Sequence, residues 1–277
     1  MPGDSEAVDA SDVEPAHAPP APPAPGVARA ASAATPGHAT VSRSGFELLL
    51  DASGAVYLPL IQAWLVADAH FGKAVSFRRL GVPVPRGTTT ATLARLSTLL
   101  ERQPCRHIIF LGDFLHSQRS HAPATQAALA AWRAAHPDLA LTLIRGNHDD
   151  RAGDPPAALG IQVVDEPFLV DSGTGRLALC HHPQHIAGAY VLAGHWHPCI
   201  TVIGRAHDRL RLPCFWFGPE QAGRADDRGP DASPATGILP AFGAFTGMHP
   251  IERRPGDQVF AIAGDQVREV PARPPAC

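Results

Sequence analysis

Ala63-Trp64-Leu65-Val66-Ala67-Asp68-Ala69-His70 is a short apolar run that stops at a carboxylate and an imidazole. The run reads as a strand buried on both faces. The same arrangement recurs along the chain. His107 to Leu111 leads into Gly112-Asp113, and Leu139 to Ile144 into Gly146-Asn147-His148-Asp149. Leu177 to Leu179 leads into Cys180-His181-His182, and Tyr190 to Ala193 into Gly194-His195-Trp196-His197. Open α/β sheets place their sites at strand ends, so these islands are expected to converge.

Oxygen and imidazole donors in this number describe a site for two divalent ions, which sit about 3.5–4 Å apart and share an anionic ligand. Asp113 is the natural bridge. Asp68, His70 and His197 complete the shell of one ion, and Asn147, His181 and His195 that of the other, with positions left for water and a phosphoryl oxygen. Such a site hydrolyses phosphoesters. It needs no thiolate: Cys180 precedes His181 on its strand and alternates to the opposite face, as core packing. Asp-x-His and Gly-Asp recur by chance in any chain of this size, so each island alone is weak. Gly-Asn-His-Asp and Gly-His-x-His behind strands are more specific, and all the islands in this order exclude a set of ordinary structural histidines.

From Gln62 to Pro198 the islands resemble the calcineurin-like metallophosphoesterase superfamily motif for motif. A narrower likeness lies in Ala67 to Lys73, Phe77 to Gly87, and Leu239-Pro240-Ala241-Phe242-Gly243-Ala244-Phe245-Thr246-Gly247. These are similar to the bacterial ligase-associated metallophosphoesterases, a family linked to the DNA damage response and encoded beside an ATP-dependent DNA ligase, a nuclease and a helicase. The resemblance implies an α/β fold, a four-layer αββα sandwich. It implies two divalent metal ions, with manganese first and iron or zinc as the other candidates. It gives the ligand role to His181, which ends its strand, over His182. It casts His148 as the general acid that protonates the leaving oxygen. It implies DNA as substrate, single-stranded or damaged, cut by an endonuclease or end-processing nuclease in repair, with the ligase, helicase and nuclease of the same system as partners. The chain departs from the family in a long amino-terminal extension and a polar insert near Pro219 to Gly237.

Beyond the islands, 277 residues with 45% hydrophobic content suffice for one substantial core. Residues 1 to 40 hold eight prolines and twelve alanines but no Leu, Ile, Phe, Trp or Tyr. Such a segment cannot offset its ordering entropy, so residues 1–42 are expected to be disordered. A single domain is expected over 43–271, interrupted by the insert at 219–237, with a frayed end at 272–277. The acids of the extension break the pattern of a signal peptide, and no stretch approaches the roughly 18 apolar residues that span a bilayer. Five cysteines, an odd set without Cys-x-x-Cys pairs, fit reduced thiols in a cytoplasm.

A net charge of −3 excludes a generally basic surface that grips long duplex DNA. Local charge differs: from Ala69 to Leu100 there is no acid, while Lys73, Arg78, Arg79, Arg86 and Arg95 fall in that window and suit a phosphate backbone. Arg145 and Arg151 flank the third island, and for each a phosphate contact competes with a surface role. His116 and His185 are second-rank donors or substrate contacts. Trp216, Phe217, Phe242 and Phe245 are candidates for stacking on unpaired bases, against core packing. Helices are expected over Thr88 to Arg102, capped by threonine hydroxyls, and over Pro123 to Ala135; a β-rich half follows Asn147. Two rival functions remain: a small-molecule phosphodiesterase or phosphatase acting on nucleotides, and a non-catalytic scaffold, which an intact His148 disfavours.

Overall fold

A computed structural model describes residues 37–85, 87–203, 208–220 and 235–272. The first sheet runs in chain order through β1 (Ala39–Arg43), β2 (Phe46–Leu50), β3 (Val56–Leu58), β4 (Ala63–Ala67), β5 (His107–Leu111), β6 (Ala140–Ile144) and β7 (Ile161–Val164). Its first strands form an antiparallel meander, and β4 to β7 are parallel. Parallel neighbours need crossovers. These carry α1 (Lys73–Arg79), α2 (Thr88–Arg102), α3 (Pro123–Ala135) and α4 (Asn147–Ala152).

The second sheet contains β8 (Phe168–Asp171), β9 (Arg176–Leu179), β10 (Tyr190–Ala193), β11 (Pro198–Ile203), β12 (Arg209–Phe217), β13 (Thr236–Ile238), β14 (His249–Pro250), β15 (Gln258–Ala263) and β16 (Gln266–Glu269). At its centre β10 pairs in parallel with both β9 and β13.

The sheets stack face to face. Their shared core joins Leu48, Leu65, Ile109 and Leu111 of one to Leu179, Leu192, Phe215 and Phe260 of the other. On the outer face of the first sheet Trp64, Val66, Phe110 and Leu143 pack against Leu93, Leu96 and Leu99 of α2 and Leu129 of α3. The two stacked sheets are those of the expected αββα-type sandwich, but among the described residues its α-helices cover the first sheet alone. The α-helices among the described residues all fall between Lys73 and Ala152, and loop residues such as Ile186 and Ala189 close the outer face of β9 and β10. No helix here is long and apolar enough to cross a membrane.

Helix α2 buries Thr92, Leu93, Leu96 and Leu99, spaced to share one stripe. Its threonines do not cap it as expected: Gly87 is the N-cap, and Thr92 Oγ1 turns back to donate to the Thr88 carbonyl oxygen at 3.0 Å. Helix α3 starts at Pro123 and stops before Pro137, whose ring disfavours helical geometry in the residue ahead of it.

Two expected boundaries shift. Strand β1 begins inside the segment expected to be disordered and ends at Arg43, because Val41 and Arg43 alternate inward and are buried. Arg43 donates to Gln258 Oε1 and lies 5.5 Å over the rings of Tyr190 and Phe217. The expected polar insert also runs into β13, where Thr236 and Gly237 sit between β10 and β12. Gly237 belongs there because a Cβ would come within 2.6 Å of the Phe217 ring and 2.8 Å of Leu192. Residues 1–36 of the extension, 221–234 of the insert, 273–277 and Arg86 lie outside the described residues.

Candidate metal centre

The carboxyl ends of β4, β5 and β6 in one sheet meet those of β9, β10 and β13 in the other. There the chain must turn sharply while aiming side chains into a common cleft. Asp68, His70, Asp113, His195 and His197 all adopt left-handed backbone with φ of 53°, 47°, 51°, 69° and 47°. Each such non-glycine residue costs about 1–2 kcal/mol, so the surroundings must hold it. His70 N–H donates to the Asp113 carbonyl at 2.9 Å, His249 N–H to that of His197 at 3.0 Å, and Gly243 N–H to that of Asp68 at 3.1 Å. His195 N–H donates to Asp68 Oδ2 at 2.9 Å. Gly194 lets β10 come this close, since a Cβ there would lie 2.6 Å from Asp68 Oδ2.

Asp113 stands between two groups of donors. Its Oδ2 faces His70 Nε2 at 3.7 Å, and its Oδ1 faces His181 Nε2 at 3.4 Å. On the first side Asp68, His70 and His197 offer ligand atoms within 4.8 Å of one another. On the second, His181 Nε2 lies 3.0 Å from both Asn147 Oδ1 and His195 Nδ1. All the expected ligands therefore converge, and Asp113 presents one oxygen to each set.

The donors fit divalent cations. Asp68 Oδ1, His70 Nδ1 and His197 Nε2 are buried without a hydrogen-bond partner, an arrangement that costs about 1–3 kcal/mol per atom unless something is bound. His197 Nε2 approaches Asp68 Oδ1 at 3.2 Å but forms no hydrogen bond with it. His181 Nδ1 lies 3.0 Å from the Leu111 carbonyl, which can only accept, so its Nε2 keeps a lone pair for the cluster. Burial, then the charge of Lys73, holds His70 well below its usual range; burial, then His181 and His182, brings His195 down to about 4. Neutral imidazole is the form that ligates metals. Burial and the nearby Asp68 raise Asp113 against the opposing pull of His181, as expected for paired carboxylates in want of a cation.

Scaffolding residues surround the cluster. Asp149 is buried and accepts from Leu115 N–H at 3.0 Å, Gly146 N–H at 3.1 Å and Phe114 N–H at 3.3 Å, with burial raising its carboxyl to about 6. Glu166 accepts from the backbone of His181 and His182 and from His182 Nδ1. His181 is thus buried in the cluster, while His182 stays partly exposed and tied to Glu166. Asp149 appeared in sequence only as the end of an island, and Glu166 gave no signal.

A hollow of about 500 Å3 opens over the cluster, lined also by Lys73, His148, Trp196, His249 and Ile251. Burial lowers the Lys73 ammonium, opposed by Asp68 and Asp113. The remaining candidate cations are dispersed. Arg78 and Arg79 end α1, exposed and away from the hollow, and Arg145 is held by Asp154 at 2.6 Å with Asp165 and Asp150 beyond. Arg151 and His185 are exposed. Trp216, Phe217 and Phe242 are buried in the core, which removes them as stacking surfaces, and Phe245 packs on Phe77. The aromatic that sequence reading overlooked is Trp196, 48% exposed on the rim. Its position between two candidate ligand histidines was the available signal.

No family model and no curated protein matches the chain. Among solved structures it is similar to the nuclease MPE of Pseudomonas putida, with 41% identity, a TM-score of 0.68, and coverage of 84% of this chain and all of that one. A phosphoesterase from E. coli, Yfce, aligns over 75% of this chain and 97% of its own at 13% identity and a TM-score of 0.36, too distant to carry weight. The chain belongs to the calcineurin-like metallophosphoesterases, hydrolases of phosphoester bonds, in the family of that Pseudomonas nuclease.

Proposed function

We propose that this protein is a two-metal phosphodiesterase that cuts DNA strands during repair. The placement of Asp113, one carboxylate oxygen toward each donor set, carries this reading. In it, Asp68, His70 and His197 would hold one divalent cation and Asn147, His181 and His195 the second, with Asp113 shared between them. Manganese is the metal proposed. When bound, the pair activates water and neutralises charge on the phosphoryl oxygens. His148 supplies the proton. Its Nδ1 donates to the His116 carbonyl oxygen at 2.7 Å, so its Nε2 is the atom that delivers a proton to the leaving oxygen. Lys73 draws the anionic strand toward the cleft, and the exposed indole of Trp196 offers a face on which an unpaired base can stack.

The family likeness to a named nuclease supports a polynucleotide over a small ester. The four cysteines among the described residues are free, which agrees with work in a reducing cytoplasm; a ligase, helicase and nuclease of one repair system are the partners proposed. The test compares a bis-aryl phosphate, an aryl monophosphate and single-stranded DNA under saturating Mn2+. Turnover of the first and third but not the second is expected. Turnover of the two small esters without DNA would favour a nucleotide phosphodiesterase, and no turnover at all would favour a scaffold.

A further inference from the structure

The cleft continues past His197. On the far side of that residue a second hollow, of about 560 Å3, is walled by α2 and by the segment from Pro240 to Met248. His197 lines both hollows, and Met248 of one precedes His249 of the other. The volume falls in the range, about 300–1,000 Å3, of sites that enclose small molecules.

Two arginines of α2 face this hollow, and they differ. Arg102 is committed: its Nη1 lies 2.6 Å from the buried Asp51 carboxylate. Arg95 is half-buried, donates from Nη1 to the Phe242 carbonyl oxygen at 2.8 Å and lies 5.2 Å over the Phe242 ring, yet among the described residues it forms no ion pair. A guanidinium carries five N–H donors, and a partly desolvated cation without a counter-charge is costly. An anion meets that deficit. Arg95 is also fixed close to the metal ligands, because Phe242 N–H donates to the Ala67 carbonyl and Gly243 N–H to that of Asp68.

We propose that the Arg95 hollow is a second phosphate subsite, taking the phosphodiester next to the scissile one in a nucleic-acid strand. It deepens the DNA reading and rests on it. A bis-aryl phosphate has no second phosphate to place there, and a thymidine dinucleotide has only the scissile one. A trinucleotide has both.

The experiment measures kcat/KM of the full chain with Mn2+ on bis(p-nitrophenyl) phosphate, the thymidine dinucleotide, the trinucleotide and a longer single strand. In the wild type the trinucleotide is expected to exceed the dinucleotide by about tenfold, the worth of one hydrogen-bonded charge. Arg95→Gln should shrink that advantage, raise KM for the long strand relative to the aryl ester by about tenfold, and flatten the salt dependence of strand binding by about 0.7 in log–log slope. Arg95→Lys, which keeps the charge, should restore the slope. No trinucleotide advantage in the wild type, or equal losses on all substrates in Arg95→Gln, overturns the subsite while leaving the nuclease reading intact. A wild type that hydrolyses the aryl ester but no strand overturns the DNA reading, and the subsite falls with it.

Discussion

The imidazole of His148 lies flat on that of His116, ring centroids 4.8 Å apart and planes at 22°, with its Nδ1 bonded to the His116 carbonyl. Stack and hydrogen bond together fix the ring and leave Nε2, 3.9 Å from Asp113 Oδ2, on the side of the cleft. His148→Gln should therefore keep both metals and lose about 10²–10⁴-fold in rate on a nucleoside leaving group. A nitrophenolate leaves without a proton, so its loss should be much smaller. Equal losses on both substrates, together with metal analysis of the variant, would return His148 to a ligand or structural role.

Because Asp113 faces both donor sets, Asp113→Ala should empty both sites, whereas His70→Ala should weaken mainly one. Elemental analysis of the purified variants reads this directly. Two ions retained in Asp113→Ala would rule out the bridge.

Gly194→Ala places a methyl 2.6 Å from Asp68 Oδ2 and 2.9 Å from the Ala67 Cβ. Crowding of this kind costs about 1–3 kcal/mol. It should also turn Asp68 away from its ligand position. Wild-type protein at 100 times its metal Kd gains about 2.7 kcal/mol, visible as a melting shift that a chelator removes. The variant should melt lower and respond less to added Mn2+; a full response would show that Asp68 is not displaced.

Strand β1 separates two truncations. Removing residues 1–36 leaves it paired with β2, and stability should hold. Removing residues through Arg43 strips the buried Val41, whose side chain alone contributes about 1.5–3 kcal/mol. The longer truncation should melt well below the shorter one in calorimetry, and coincident melts would show β1 to be dispensable.

Much of the fold and of the candidate site is legible in the sequence. The candidate ligands could be read because each follows a largely buried run, such as Tyr190 to Ala193, that ends abruptly in donors. Helices α2 and α3 were legible from leucine spacing and flanking prolines. What escaped depends on distant partners. Arg145 looked free until Asp150, Asp154 and Asp165 folded around it. For Trp216 and Phe217 the choice between core packing and stacking is decided by neighbouring strands, β13 and β15, which bury them. Val41 has no helical or long strand pattern around it, and only pairing with β2 makes β1 a strand.

The left-handed turns at Asp68, His70, Asp113, His195 and His197 make the metal-free fold bear a strain that bound cations would offset. Without cations the chain bears about 1–2 kcal/mol at each of these residues, held in place by the surrounding hydrogen bonds alone. Glycine at His70 or His197 would relieve that burden while discarding a ligand, so some inactive variants should be hardier than the wild type when both are metal-free. Selection for thermal robustness alone would then erode this centre first, at its most twisted residues, and a library screened without an activity gate would drift toward stable, metal-blind proteins.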